Sequence, residues 1–292
     1  MRKQMMASVA KVIEEDPRTC LLLADIGVWG FHETLEKYPG RAMNIGIFED
    51  GMVSVAAGMA LGGMIPIVYG ISPFIVDRAF EQLKLDFAYQ KCGGNFLTTG
   101  AAYDFSTLGY SHYCQEDIGV LKMAPGLEFL APGTAEEFKL LFESVYDNGN
   151  PSYFRLSDYV NQNAVDVVFG KAAVIQEGRK ATVIAVSTML DAVMEACQEE
   201  DVTILYYTTL QPFDMDAVRK YSGHGKILLC EPHFEGSLSY EVMKAMEGKA
   251  VRMEYVGMHL EILRTYGSKQ EKDIKLGLHA AMIREKLDTL IG

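Results

Sequence analysis

Short apolar runs alternate with amphipathic stretches along the 292 residues. Apolar runs bounded by turn residues read as buried strands, and apolar positions at i, i+3, i+4 and i+7 read as a helix with one core face. In the first half, Thr19–Ala24, Ala42–Ile47, Ile65–Tyr69, Asn95–Thr99, Leu127–Ala131 and Ser152–Leu156 carry the strand pattern, with helices between them. Thr134 and Glu137 form a capping-box signature, and Phe138, Leu141, Phe142 and Val145 mark one face of the helix that follows. The second half restarts the pattern, with strands at Ala181–Val186, Val202–Tyr207, Lys226–Cys230 and Ala250–Tyr255. Met189, Val193, Met194 and Cys197 give one helical face there, and Leu238, Val242 and Met246 another. A last helix is predicted over Lys275–Leu290. The polar, irregular segment from Asp158 to Gly170 separates the halves. The pattern predicts an α/β protein of two domains, at 1–160 and 168–292, each a mainly parallel sheet flanked by helices.

Gly51 to Val76 carries no charge and is long enough to span a bilayer. Pro66 breaks any helix through it, so the stretch reads as a small-residue helix and then a buried strand. The net charge of −12 argues against a nucleic-acid binder, which needs a basic patch. The five cysteines are odd in number and none forms a CxxC pair. With no signal sequence after Met1, they read as reduced core thiols of a cytoplasmic protein.

Candidate chemistry is concentrated in the first half. Glu49 ends an apolar strand and precedes the small-residue helix. A carboxylate there either caps the helix start beside its dipole or is buried, where its ionised form is disfavoured and proton transfer becomes accessible. Asp25 follows the first strand, at the edge where open α/β sheets bind ligands, although it also suits a turn cap. His112 lies in a loop of Gly, Tyr, Ser and Cys rather than on an apolar helical face, where an imidazole can act near neutral pH. Phe74 and Phe80 read equally as ordinary core aromatics.

Several motifs in order resemble the C-terminal half of a transketolase. Asn44-Ile-Gly-Ile-Phe-Glu49 with the following helix resembles its "GI-x-E" segment, and Phe74 through Gln82 its "F-x-x-x-R-A-x-E-Q" stretch. Ser111-His112 and Glu116-Asp117 resemble "TH-x-x-x-ED". Pro125–Pro132, Pro151–Leu156, Gly178–Ala185, Leu210–Asp214 and Glu231-Pro-His233 follow in the family's order, covering nearly the whole chain. The resemblance implies a pyrimidine-binding domain, a transketolase C-terminal domain and the cofactor thiamine diphosphate. It makes Glu49 the acid hydrogen-bonded to the aminopyrimidine, which promotes loss of the thiazolium C2 proton. Phe74 packs on that ring, Phe80 lines the same pocket, and His112 faces substrate. Asp25, Trp29 and Arg155 take substrate positions. His233 is expected to hold structure.

No Gly-Asp-Gly followed by Asn occurs in the sequence. The resemblance therefore places no metal ligand on this chain and puts the diphosphate and Mg2+ on a partner, an N-terminal-half transketolase subunit, in an α2β2 heterotetramer. The implied activity is two-carbon ketol transfer between sugars. The alternatives are the β subunit of a 2-oxo acid dehydrogenase, a deoxyxylulose-phosphate-synthase-like enzyme, or a non-catalytic subunit that kept the fold. The chain also departs from the family. Trp29 stands where transketolases have a phosphate-binding Ser, Asp158 where they have an Arg, and Leu108 where they have an acid before the histidine. An Asp repels phosphate, so the expected sugar is unphosphorylated or otherwise modified.

Overall fold

A computed structural model describes all residues, 1–292. The twelve strands are β1 (Thr19–Leu23), β2 (Ala42–Asn44), β3 (Ile65–Ile71), β4 (Gly94–Thr99), β5 (Glu128–Leu130), β6 (Pro151–Leu156), β7 (Ala173–Gln176), β8 (Thr182–Val186), β9 (Thr203–Tyr207), β10 (Thr209–Gln211), β11 (Lys226–Phe234) and β12 (Arg252–Met258). They form a seven-stranded sheet in the order β10-β5-β6-β4-β3-β1-β2 and a five-stranded sheet in the order β12-β11-β8-β9-β7. Every pairing is parallel except β10 on β5 and β7 on β9. β1, β4, β6, β8 and β9 are buried along their whole length. That burial is why they read as continuous apolar runs rather than as alternating ones, as strands covered by helices on both faces do.

Two short strands escaped the sequence pattern. β7 and β10 are too brief for a period to show, and β10 joins the first sheet although it lies in the second half of the chain. A division at residues 160 and 168 therefore does not separate the two sheets cleanly. The last helix is in fact two, Lys269–Leu276 and Ala280–Ile291. Gly277 closes the first in a left-handed conformation, φ 76°, and the His279 side chain caps the second, so the chain turns where the pattern alone ran on. All five cysteines are free and buried. No helix is long and apolar enough to cross a membrane.

The order β2-β1-β3-β4-β6 matters most for function. These neighbours are parallel, so the segments that follow them leave from one edge of the sheet. β2 and β3 lie on opposite sides of β1, which makes a topological switch point with a crevice at the strand ends. Glu49, Asp25, Phe74, His112 and Asp158 lie in the segments that follow β2, β1, β3, β4 and β6 in turn.

Candidate active site

Glu49 opens the helix Glu49–Leu61, in which Met52, Val53, Ala56 and Ala57 are buried with it. The small residues let the helix sit close to the sheet, and the acid meets the positive end of the helix dipole. Glu49 itself is only 1% exposed. Its sole hydrogen-bond partner is the Nη1 of Arg78, with which it forms an ion pair. Arg78 ends the π-helical turn Phe74–Arg78 that leaves β3. Its guanidinium lies over the Phe74 ring, 4.5 Å from the centroid.

Phe74 is half-buried, and the edge-on His112 ring is 5.4 Å from it, centroid to centroid. Phe105 flanks the same imidazole at 6.4 Å, and Ser111 Oγ lies 3.0 Å from His112 Nδ1. Glu49, Phe74 and His112 thus come together through Arg78 and the Phe74 ring, although they are far apart in sequence. Asp25 lies at the end of β1 with a positive φ of 54°. Asn44, at the end of β2, donates to its carboxylate at 2.9 Å and accepts its backbone N–H at 3.0 Å. Gly27 follows at φ 77°, where a Cβ would come within 2.7 Å of Tyr69, so this loop turns tightly over β3. Trp29 stands out from it, 92% exposed.

Two further expected site residues are engaged with the interior. Arg155 is 2% exposed. Its Nε donates to Asp117 at 2.7 Å and its Nη2 to the Pro232 carbonyl at 2.9 Å. Those bonds brace the interior and tie the first sheet to the second. Phe80 is half-buried and packs on the core cluster that includes Met52, Val53, Ile75 and Val76, the residues flanking Glu49 and Phe74 in sequence. His233 is wholly buried, and desolvation pushes it well below the ordinary imidazole range. It sits within the second sheet, on β11.

Arg78 was visible in the "R-A-x-E-Q" stretch, but no spacing says that it folds back on an acid 29 positions earlier. A second group also emerges. Asp77, Glu116 and Cys114 bring their ligand atoms within 4.8 Å of one another. Asp77 is pushed up to about 7 by burial and by the neighbouring Glu116.

The residues brought together fit the aminopyrimidine end of thiamine diphosphate. A buried acid accepts in-plane donors, an aromatic face lies beside it, and a planar cationic group already rests against both. The acidic pair with a thiol does not suit Mg2+, which takes hard oxygen ligands in octahedral array.

A buried acid just past a strand end, linked through an arginine to an aromatic ring at the switch point of a parallel sheet, defines an α/β protein with a candidate ligand crevice at its strand ends. Residues 1–159 match the family described as transketolase, pyrimidine binding domain, and the chain belongs to that family. It is 34% identical over 290 residues to an uncharacterized 33.6 kDa protein in the fasciation locus of Rhodococcoides fascians, covering 98% of this chain and 93% of that protein. It is 27% identical over 235 residues to a subunit of the apulose-4-phosphate transketolase of Phocaeicola vulgatus, covering 76% and 75% of the two chains. A split-gene transketolase solved as an inactive β4 tetramer superposes with a TM-score of 0.87 at 23% identity, over 99% of this chain and 97% of that one.

Proposed function

We propose that this chain is the pyrimidine-holding subunit of a thiamine-diphosphate-dependent transketolase-like enzyme that moves a two-carbon ketol unit between sugars. The observation that carries the reading is the buried Glu49 joined through Arg78 to the Phe74 ring, with the His112 ring 5.4 Å from Phe74. When bound, the cofactor supplies a nucleophilic carbon that holds and releases the two-carbon unit. Glu49 holds the proton that polarises the aminopyrimidine. Phe74 offers an apolar face and helps exclude water. His112 donates to a substrate oxygen, and Asp25 and Trp29 face the incoming sugar. The Mg2+ and diphosphate belong to a partner subunit of the transketolase N-terminal type, in an α2β2 assembly. The likeness to a chain named as one subunit of a transketolase favours ketol transfer over the 2-oxo acid dehydrogenase alternative.

Glu49→Gln in the reconstituted complex tests this. Gln keeps the shape and still accepts from Arg78, but it cannot supply the proton. Exchange of the cofactor C2 proton in deuterated water should slow by roughly 10²-fold or more while the fold survives. An unchanged exchange rate removes Glu49 from the role.

The sugar is the second question. Asp158 is exposed, and its backbone N–H donates to Asp104 at 3.0 Å. With Arg155 held by Asp117, neither residue serves as a phosphate donor. This supports an unphosphorylated or modified substrate whose distal end stacks on Trp29.

A further inference from the structure

We propose that Arg78 is a built-in occupant of the pyrimidine site, one that fills the cofactor's place in the unloaded chain and has to swing out on loading. The inference rests on the reading of Glu49 and Phe74 as the pyrimidine-binding pair. A guanidinium is flat, delocalised and rich in in-plane donors. An aminopyrimidine is also flat and presents its donors in the ring plane. The two contacts proposed for the cofactor ring are a hydrogen bond to Glu49 and packing on Phe74. Arg78 makes both, donating to Glu49 through Nη1 while its Cζ lies 4.5 Å from the Phe74 centroid.

The accessibility of the two partners is unequal in the way such a device requires. The Glu49 side chain is 2% exposed, whereas the Arg78 side chain is 42% exposed. The acid is fixed in the wall, and the arginine has an open path to solvent. A buried carboxylate with no other polar partner is costly to leave alone, so the arginine compensates it until another donor arrives. Arg78 and Phe74 also lie on one π-helical turn. Withdrawal of the guanidinium thus uncovers the ring and the acid in one movement.

The test uses the full chain and the pyrimidine half of thiamine, 4-amino-5-hydroxymethyl-2-methylpyrimidine, followed by ligand-observed NMR and calorimetry. Wild type, Arg78→Ala and Arg78→Ala/Glu49→Gln are compared. Removing the occupant should tighten binding of the fragment roughly tenfold or more, and the added Glu49→Gln change should abolish the gain. Equal affinity for wild type and Arg78→Ala, with both weakened by Glu49→Gln, overturns the proposal about Arg78 and leaves the pyrimidine reading standing. A gain that survives Glu49→Gln places the fragment elsewhere and overturns both. No binding by Arg78→Ala up to about 10 mM also overturns the proposal, and C2 exchange then judges the pyrimidine reading by itself. If Arg78→Ala melts early, Arg78→Gln is used in its place under the same criteria, because it keeps a neutral polar group near Glu49.

Discussion

Arg155→Met separates a structural role from a substrate role. Arg155 is 2% exposed and Asp117 is 0% exposed. Asp117 accepts from Arg155 Nε at 2.7 Å, from Tyr153 Oη at 3.2 Å and from the Ile118 N–H at 2.9 Å. Methionine keeps much of the aliphatic stem, so little packing is lost. The only positive partner of a sealed carboxylate disappears, and the Pro232 carbonyl loses its donor. Breaking one side of such a buried pair costs about 3–5 kcal/mol. For a chain of this size that corresponds to a melting temperature lower by roughly 6–15 °C. The assay is thermal unfolding followed by circular dichroism, with Arg155→Met/Asp117→Asn as the control. Removing the stranded charge should restore more than half of the loss. Near-wild-type melting of Arg155→Met, together with lost turnover in the complex, would refute the strut and return the arginine to the substrate.

Other outcomes follow from the same structure. Asp77, raised to about 7 by burial and by Glu116, contributes stability that is complete below the ordinary carboxyl range and lost as pH rises through 7. Asp77→Asn should therefore flatten the fall in melting temperature between about pH 4 and 7; the residue still reaches solvent although its carboxyl is crowded by Glu116 and the surrounding protein, which limits the gain to about 1 kcal/mol. Parallel melting curves for variant and wild type would reject that coupling. On the proposed assignment of the diphosphate and Mg2+ to a partner, the chain alone should bind thiamine diphosphate weakly even with Mg2+. Sub-micromolar binding in calorimetry without a partner contradicts this. In the complex, free sugars should compete with phosphorylated sugars of equal length, and Trp29→Ala should raise KM. A preference of roughly tenfold or more in kcat/KM for the phosphorylated sugars removes the substrate reading.

The sequence by itself determined the layers, because a strand buried on both faces must be apolar along its length and a helix on a sheet must repeat every three or four residues. It also marked Glu49 as an acid between an apolar strand and a small-residue helix, although the pattern alone left a helix cap and a buried acid both open and only the family resemblance chose between them. The start of the helix Ala135–Val145 was legible too. Thr134 does cap it, accepting from the Glu137 N–H at 3.2 Å. The Glu137 carboxylate, however, does not close the local box. It accepts from the neighbouring Gly133 N–H at 2.7 Å, and from Val165 N–H at 3.0 Å and Tyr206 Oη at 2.8 Å, and so ties its own helix start to two distant stretches of chain. Only the tertiary structure decided such pairings. It carried β10 into the other half's sheet, turned Arg155 inward onto Asp117 and laid Arg78 across Glu49 and Phe74. Local pattern records which face of an element is apolar. It does not record which polar side chain, from which distant loop, satisfies a buried charge, because that choice is made by the packing that buries it.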